Sequence, residues 1–309
     1  MKKISVGIIT YMRPIGLEKI LSSLKSQRLE NIELSVIVVD NDATGENQKV
    51  IDKLKEDGYP FKLELFVETK RGIVAARNRT VSEFLATDAE SMIFVDDDEW
   101  PVDTNWIEKL VEVEDKYNAD IVYSGISILP ENDKISWAKT AYRSNSDGDT
   151  VRPIKEYFTN NLLVKRNVYE ELNPPFDERF AMTGSSDLHF CIKANNMGFK
   201  AYYTPEAIVE EIFPETRATL KWFFLRGYRT GEGSTRANIY EGKNLSVSFY
   251  ILFLFVGRFV RSIQMLIKSI FKLDKGYLAK SITYIGATIG TVTGLFGLQY
   301  NEYNTIHGK

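Results

Sequence analysis

The sequence predicts an α/β fold in which a mainly parallel sheet is covered on both faces by helices. Three observations carry this expectation. Short apolar runs alternate with helical patterns through the first third of the chain. The runs are apolar at consecutive positions, as strands buried on both faces are. Three of them end on polar clusters, and in open α/β sheets ligands bind at the carboxyl ends of the strands.

The elements follow in order. Residues 4–9 read as a strand ending at Thr10-Tyr11, and Leu17, Ile20, Leu21 and Leu24 then share one helical face. Residues 34–39 form a second strand closed by Asp40-Asn41-Asp42, followed by a helix marked by Val50, Ile51 and Leu54 and a strand at 63–67. A helix over 72–85 leads to a strand at 92–95, which stops at Asp96-Asp97-Asp98. The second half is less regular. It reads as a strand at 120–128, a polar mobile loop at 131–150, and strands at 156–164 and 201–209 around a helix at 187–196.

Composition narrows the function classes. The chain has 309 residues, 44% of them hydrophobic, enough for a sizeable core. A net charge of -3 gives no global basic field for nucleic acid. Cys191 is the single cysteine, so no disulfide forms within the chain and a reducing compartment is expected. With only His189 and His307 available, a bound metal must rest on carboxylates, which suits Mg²⁺ or Mn²⁺. Met1-Lys2-Lys3 runs directly into a strand, and no signal peptide is read there.

The acidic cluster is the sharpest chemical feature. A hard divalent cation prefers carboxylate ligands and offsets the charge of a departing diphosphate. Asp96 and Asp98, two apart, can divide the work between ribose and metal. A solvated acidic turn is the bland alternative; three Asp directly after Ile-Phe-Val, with a second acidic cluster at a matching strand end, weigh against it. Asp40 can accept from a pyrimidine N–H or a ribose hydroxyl, or serve only as a turn or helix N-cap residue. Tyr11 can lie against a base. Gly72 to Asn78 is small and then basic, so Arg77 and Asn78 can reach a diphosphate or stiffen the Asp cluster.

Taken together these segments resemble an inverting family two glycosyltransferase of the GT-A fold. The matching residues are Ile8 to Tyr11, Val38 to Asn41, Gly72 to Asn78, Phe94 to Glu99, Asn160 to Val164 and Pro175 to Phe180. Asp96 to Pro101 with Trp106 resembles a subgroup of bacterial exopolysaccharide enzymes, including succinoglycan-type glucosyltransferases. The resemblance covers residues 3–235. It implies an inverting displacement, a nucleotide-sugar donor, most often UDP-linked, and Mn²⁺ or Mg²⁺. It assigns Thr10, Tyr11, Arg13, Asp40, Arg77, Asn78, Asp96 and Asp97 to the donor, Asp98 and Glu211 to the metal, and Asp187 to the general base. Ser186 stands where the family usually has Glu, His189 where it often has Asp, and Glu211 where a His often contacts the metal. An inverting transfer needs one base for the acceptor hydroxyl, and Asp187 can be that base without Ser186. Its alternative role is a helix N-cap.

Residues 236–309 read as a second unit of membrane-associated helices. Residues 247–256 are almost wholly apolar. Arg258, Arg261, Lys268 and Lys272 recur on one face opposite Ile263, Leu266, Ile267 and Ile270, a basic amphipathic helix suited to an anionic bilayer. Residues 281–301 carry no charge and are long enough to span, but Thr and Gly make them borderline. Gly286, Gly290 and Gly294 have the spacing of close helix contacts. The expected partners are the donor, a glycan or lipid-linked acceptor and a membrane surface, at the cytoplasmic face of a bacterial membrane; self-association is left open. A non-catalytic sugar-nucleotide scaffold, which the Ser186 and His189 departures favour, is the competing class. A nucleotidyltransferase would carry a glycine-rich basic loop after the first strand, and residues 10–16 offer only Arg13 and Gly16.

Overall fold

The computed structural model describes residues 1–142, 148–242 and 245–298, with the side chains of residues 245 and 246 outside the description. Its centre is a nine-stranded mixed sheet. The first half is the expected βα alternation: β1 (Lys2–Thr10), α1 (Pro14–Leu24), β2 (Ile32–Asp40), α2 (Glu46–Glu56), β3 (Lys62–Val67), α3 (Ile73–Leu85) and β4 (Ser91–Asp96). These four strands run parallel in the order β3-β2-β1-β4. Alternate residues feed two cores. Ile4, Val6, Ile8, Val36 and Val38 pack against α1 and α2, while Ile37, Val39 and Phe94 join α3 on the opposite face.

The second half adds β5 (Glu99–Pro101), α4 (Trp106–Tyr117), β6 (Ile121–Pro130), α5 (Ala138–Ala141), β7 (Arg152–Pro153), β8 (Leu162–Lys165), α6 (Arg166–Glu171), α7 (Ser186–Asn196) and β9 (Ala201–Phe213). The order continues β4-β8-β6-β9-β5, with β8 antiparallel to both neighbours and β7 paired to β9. The strand expected at 156–164 is only Leu162–Lys165, because Asn161 takes a positive φ just before it. The buried Asn161 side chain explains that turn. Its Oδ1 accepts from the Trp106 indole at 2.9 Å and its Nδ2 donates to the Ala207 carbonyl at 2.7 Å, tying α4, β8 and β9 together. Within the expected loop at 131–150, residues 133–135 form a 3₁₀ turn and 138–141 form α5; residues 143–147 lie outside the described residues.

One connection shapes the sheet. β4 and β5 stand four places apart in the ladder, yet only Asp97 and Asp98 separate them in sequence. So short a link spans roughly 10 Å at full extension, so the sheet must curl until β9 and β5 hang over the carboxyl end of β4.

The C-terminal third is helical: α8 (Leu220–Glu241), α9 (Leu245–Lys272) and α10 (Lys275–Leu295). α8 starts where the Thr219 side chain accepts from the Trp222 amide, and it runs unbroken across the expected boundary after residue 235. α10 is the expected candidate span, but it packs along α8 instead; residues 299–301 of that candidate lie outside the described residues. The reason is its glycines. Gly227 and Gly231 of α8 interlock with Gly286 and Gly290 of α10, and a Cβ at any of the four would collide with a carbonyl of the facing helix. Among the described residues, the one helix long and apolar enough to cross a membrane is α9, over Val247–Lys272. Arg258 corrects the expected basic face. It points inward, where Nη2 donates to Ser234 Oγ at 2.8 Å and Nη1 to Thr291 Oγ1, because Ser234 and Thr291 offer it buried acceptors between α8 and α10. Arg261, Lys268 and Lys272 remain exposed, beside an outward face of Phe253, Val256, Val260, Ile263 and Ile267.

The glycine contacts set a test. Gly290→Val should lower the melting temperature by a loss of at least the 1–3 kcal/mol typical of overpacking, since backbone atoms cannot yield as side chains do. Gly257→Ala in α9 meets nothing within 4 Å and should be neutral or slightly stabilising. Equal effects in thermal unfolding would show that close backbone approach does not hold α10.

Candidate active site

The parallel register builds the site edge. Thr10 pairs with Asp40 and Ile9 with Asp96, so three strand ends present their polar residues side by side. Asp97 and Asp98 fill the turn after β4. Thr10 Oγ1 donates to Asp97 Oδ2 at 2.8 Å, and Arg13 Nη1 bridges Asp97 Oδ1 at 2.9 Å and Asp98 Oδ2 at 2.8 Å. Arg13 sits at the start of α1 because Pro14 opens that helix with a preset φ. Gly16 lets α1 approach, since a Cβ there would collide with the Asp97 carbonyl.

The curl of the sheet adds more acid. Glu99 of β5 pairs directly with Glu211 of β9. Burial pushes the Asp96 carboxyl up to about 6, helped by Asp98 and opposed by Arg77 and Arg13. Burial and Asp98 push Asp97 to about 7. Glu99 is raised well above the carboxylate range by burial and by Asp96, Glu211 and Asp98, and its Oε2 has no hydrogen-bond partner among the described residues. Glu211 rises to about 7 from burial and Asp98, although Arg217 Nη1 lies 2.6 Å from its Oε1 and Arg226 stands close. The Arg226 guanidinium stacks 4.5 Å from the Tyr142 ring centre and 5.3 Å from that of Trp222. This is a pocket of excess negative charge, only partly balanced by arginines.

The neighbouring strand end is wired differently. Asp40 is buried, its carboxyl raised by that burial, and it accepts from the Asp42 amide at 3.0 Å. Gly45, not Asp40, caps α2. Asn41 holds the next loop in place: its Nδ2 donates to the carbonyls of Glu68 and Lys70 and its Oδ1 accepts from Gly72 N, all at 2.8 Å. Tyr11 lies with its ring centre 5.9 Å from the Arg71 guanidinium.

α3 then contributes two polar residues with separate tasks. Arg77 is buried and donates from Nη1 to Ser186 Oγ at 2.8 Å. Asn78 turns away from the acidic pocket: its amide donates to the Phe176 carbonyl at 2.8 Å and accepts from the Phe176 N–H at 3.1 Å. These bonds tie α3 to the Phe176 backbone rather than to the Asp cluster.

Asp187 lies in the first turn of α7, but the helix N-cap is Ser185, with φ +68° and no side-chain cap bond. Asp187 Oδ1 accepts from the Leu188 amide at 2.8 Å, and its charge reaches Asp96. His189 is buried, with Nε2 2.7 Å from Glu241 Oε1 and its ring against Phe180. The site thus draws together Thr10, Arg13, Arg77, Asp96, Asp97, Asp98, Asp187 and Glu211, with Asp40 and Tyr11 at the adjoining strand end. Glu99 and Asn41 are the residues sequence reasoning passed over. Both lay inside quoted motifs, but only the β5–β9 register and the 68–72 loop give them a task.

Comparison with known proteins fits this arrangement. Residues 5–203 match the model of Glycosyl transferase family 2. Succinoglycan biosynthesis protein ExoM of Rhizobium meliloti (strain 1021) is 30% identical over 243 residues, 74% of this chain and 73% of that protein. The chain belongs to glycosyltransferase family 2, in its exopolysaccharide branch, and is a glycosyltransferase. Two solved structures share its GT-A fold. The mannosyltransferase PcManGT from Pyrobaculum calidifontis, in complex with GDP-Man and Mn²⁺, has a TM-score of 0.59 at 17% identity, covering 95% of this chain and 74% of that one. S. aureus TarS 1–349 with UDP has a TM-score of 0.57 at 13% identity, covering 100% and 95%. The chain spans 40% of a longer TarS structure.

The charge imbalance predicts a pH dependence. Asp96, Asp97 and Glu211 hold protons more tightly folded, at about 6 to 7, than unfolded, near 4. Their contribution to stability is therefore full below about pH 4 and lost as pH rises through 6 to 7. In chelator the protein should melt higher at about pH 6 than at about pH 8. Asp98→Asn, which removes the shared repelling charge, should flatten that difference. A melting temperature that climbs with pH over this range would mean the arginines already balance the cluster.

Proposed function

We propose that this chain is a metal-dependent inverting glycosyltransferase. On this reading it moves a sugar from a nucleoside diphosphate, UDP-linked by preference, to a lipid-linked saccharide during cell-surface polysaccharide synthesis, at the cytoplasmic face of a bacterial membrane. The observation that carries the reading is a two-pole site. An acidic pocket at the ends of β4 and β9 faces Asp187, which arrives on an independent element and has little else to bind.

The acidic pole fits a divalent cation. Among the described residues no three His, Cys, Asp or Glu side chains form a preformed ligand set. Mg²⁺ and Mn²⁺ sites of nucleotide enzymes commonly use one or two carboxylates and complete the shell with phosphate oxygens and water. Asp98 and Glu211 are the two residues that would hold it, and the unpaired Glu99 Oε2 beside them shows how much negative charge the pocket carries. When bound, the ion would neutralise charge gathering on the departing diphosphate. Arg13, Arg217 and Arg226 stand where they can shift from carboxylates to phosphates, guanidinium to oxygen. Asp40 at the end of β2 and Tyr11 just after β1 would take the ribose and the base. Asp187 would take the proton of the acceptor hydroxyl as it attacks the anomeric carbon, and a single displacement inverts the configuration. Ser186 and His189, the two departures from the family pattern, each have a partner in Arg77 and Glu241.

Two experiments test the chemistry. Screening UDP-, GDP- and dTDP-sugars should find one that raises the melting temperature only with Mn²⁺ or Mg²⁺, and Asp98→Ala should abolish that rise. Asp187→Asn should keep donor binding and lower transfer by roughly 10²–10⁴-fold. Loss of donor affinity with unchanged turnover, or a product of retained configuration, would refute the assignment of the base.

Location rests on α9. Its outward apolar face and the flanking Arg261, Lys268 and Lys272 suit a helix lying in an anionic interface, each cation adding roughly 1 kcal/mol that weakens with salt. Cutting the chain near residue 240 would also strip α10 from the glycines of α8, so substitutions are the cleaner probe. Phe253→Glu, Val260→Glu and Ile267→Glu together should release the protein from anionic vesicles while donor binding persists. A triple variant that still sediments with vesicles would rule out α9 as the anchor.

A further inference from the structure

The turn that delivers Asp187 is conformationally awkward. Gly184 and Ser185 both lie at positive φ, +75° and +68°, and a residue with a side chain enters that region only when its surroundings hold it there. Arg77 holds one side through Ser186. The other side is held by α8. Arg236, 2% exposed, donates from Nη2 to Thr183 Oγ1 at 2.6 Å. It is paired with Glu232, which is wholly buried one helical turn earlier, and its guanidinium lies 5.0 Å from the Phe180 ring centre. Gly233 lies flush against Ser185, where a Cβ would collide with both Oγ and Cβ of the serine. Glu241 meets His189 at 2.7 Å. α8 therefore grips this segment at 183, 185 and 189, on both sides of the base. It is itself seated by the glycine contacts with α10. The α8 residues that do this, Glu232, Gly233, Arg236 and Glu241, lie outside residues 5–203, the part of the chain that matches the family.

We infer that Arg236 is a positioning residue for Asp187, and that α8, seated on α10, sets the geometry of the general base. The inference rests on the reading of Asp187 as that base. The physical reason is leverage: a carboxylate on a short turn has no stiffness of its own, and a displacement of about 1 Å at a reacting group can cost as much as 10²-fold in rate. A buried arginine bonded to the turn and neutralised by a neighbouring glutamate supplies the missing stiffness, because moving it would leave Glu232 as an uncompensated buried charge.

The test is a split between turnover and donor affinity in the full chain. Nucleotide release is measured with MnCl₂ and whichever of UDP-glucose, UDP-GlcNAc or GDP-mannose the wild type turns over, with water as acceptor. Thr183→Val keeps the Arg236–Glu232 pair and removes only the hydroxyl that Arg236 holds. It should lower kcat by about 10- to 100-fold with donor KM within about twofold of wild type. Arg236→Gln should do the same, and Arg236→Lys, which keeps the charge beside Glu232, should recover part of the loss. If Arg236→Gln does not fold, Thr183→Val still decides. An unchanged kcat in folded Thr183→Val, or a rise in KM alone, would overturn the proposal. A wild type that turns over none of the three donors counts against the enzymatic reading instead. Hydrogen exchange at the amides of residues 184–188 then decides the brace: faster exchange in Thr183→Val supports it, and identical exchange overturns it.

Discussion

Too many carboxylates share one buried sheet edge, and much of the molecule is arranged around that fact. Burial and the partly exposed Asp98 raise Asp96, Asp97, Glu99 and Glu211, and arginines oppose the rise at Asp96, Asp97 and Glu211. Arg13 comes from the start of α1, Arg77 from α3, Arg217 and Arg226 from the approach to α8 and its first turns. A fold seeking stability alone would not collect acids this way. On the proposed reading a divalent cation would bring the positive charge that the pocket is short of, so its binding would relieve what folding leaves unresolved.

The curl of the sheet is what makes the pocket deep. A two-residue turn forces β5 back over β4, and the antiparallel β5–β9 pair then carries Glu99 and Glu211 above the strand ends already occupied by the Asp cluster. Asn161 locks the closure from beneath by binding Trp106, Gly125 and Ala207 at once. The same curl leaves space on the far side for α7, so the acid pole and Asp187 face each other across the site from unrelated segments.

The C-terminal helices change character in this light. α8 and α10 are fused at their backbones through interleaved glycines, and α8 reaches the turn that bears Asp187. α9 turns a broad apolar face outward. One stretch of chain thus holds both a helix pair joined to the body through α8 and a long helix with an exposed apolar face.

The sequence by itself determined the parallel half of the sheet and its ligand edge. Consecutive apolar residues admit no other partner than helices on both faces, and Thr10, Asp40 and Asp96 end their strands at one level once those strands run parallel. The acidic run Asp96 to Asp98 at the end of β4 was legible for the same reason: it is a short motif whose spacing is set by neighbouring bonds. Tertiary structure alone decided the rest. Whether Asn78 faced the ligand or Phe176, whether Arg258 faced lipid or Ser234, and which of two apolar helices lay against the body depended on residues far apart in the chain. Periodicity gives a helix its faces but does not say what each face meets. Glycine spacing marked α10 for close contact, yet its partner in α8 appears only when the backbones are brought together, because that contact is made by atoms every residue carries and no side-chain pattern records.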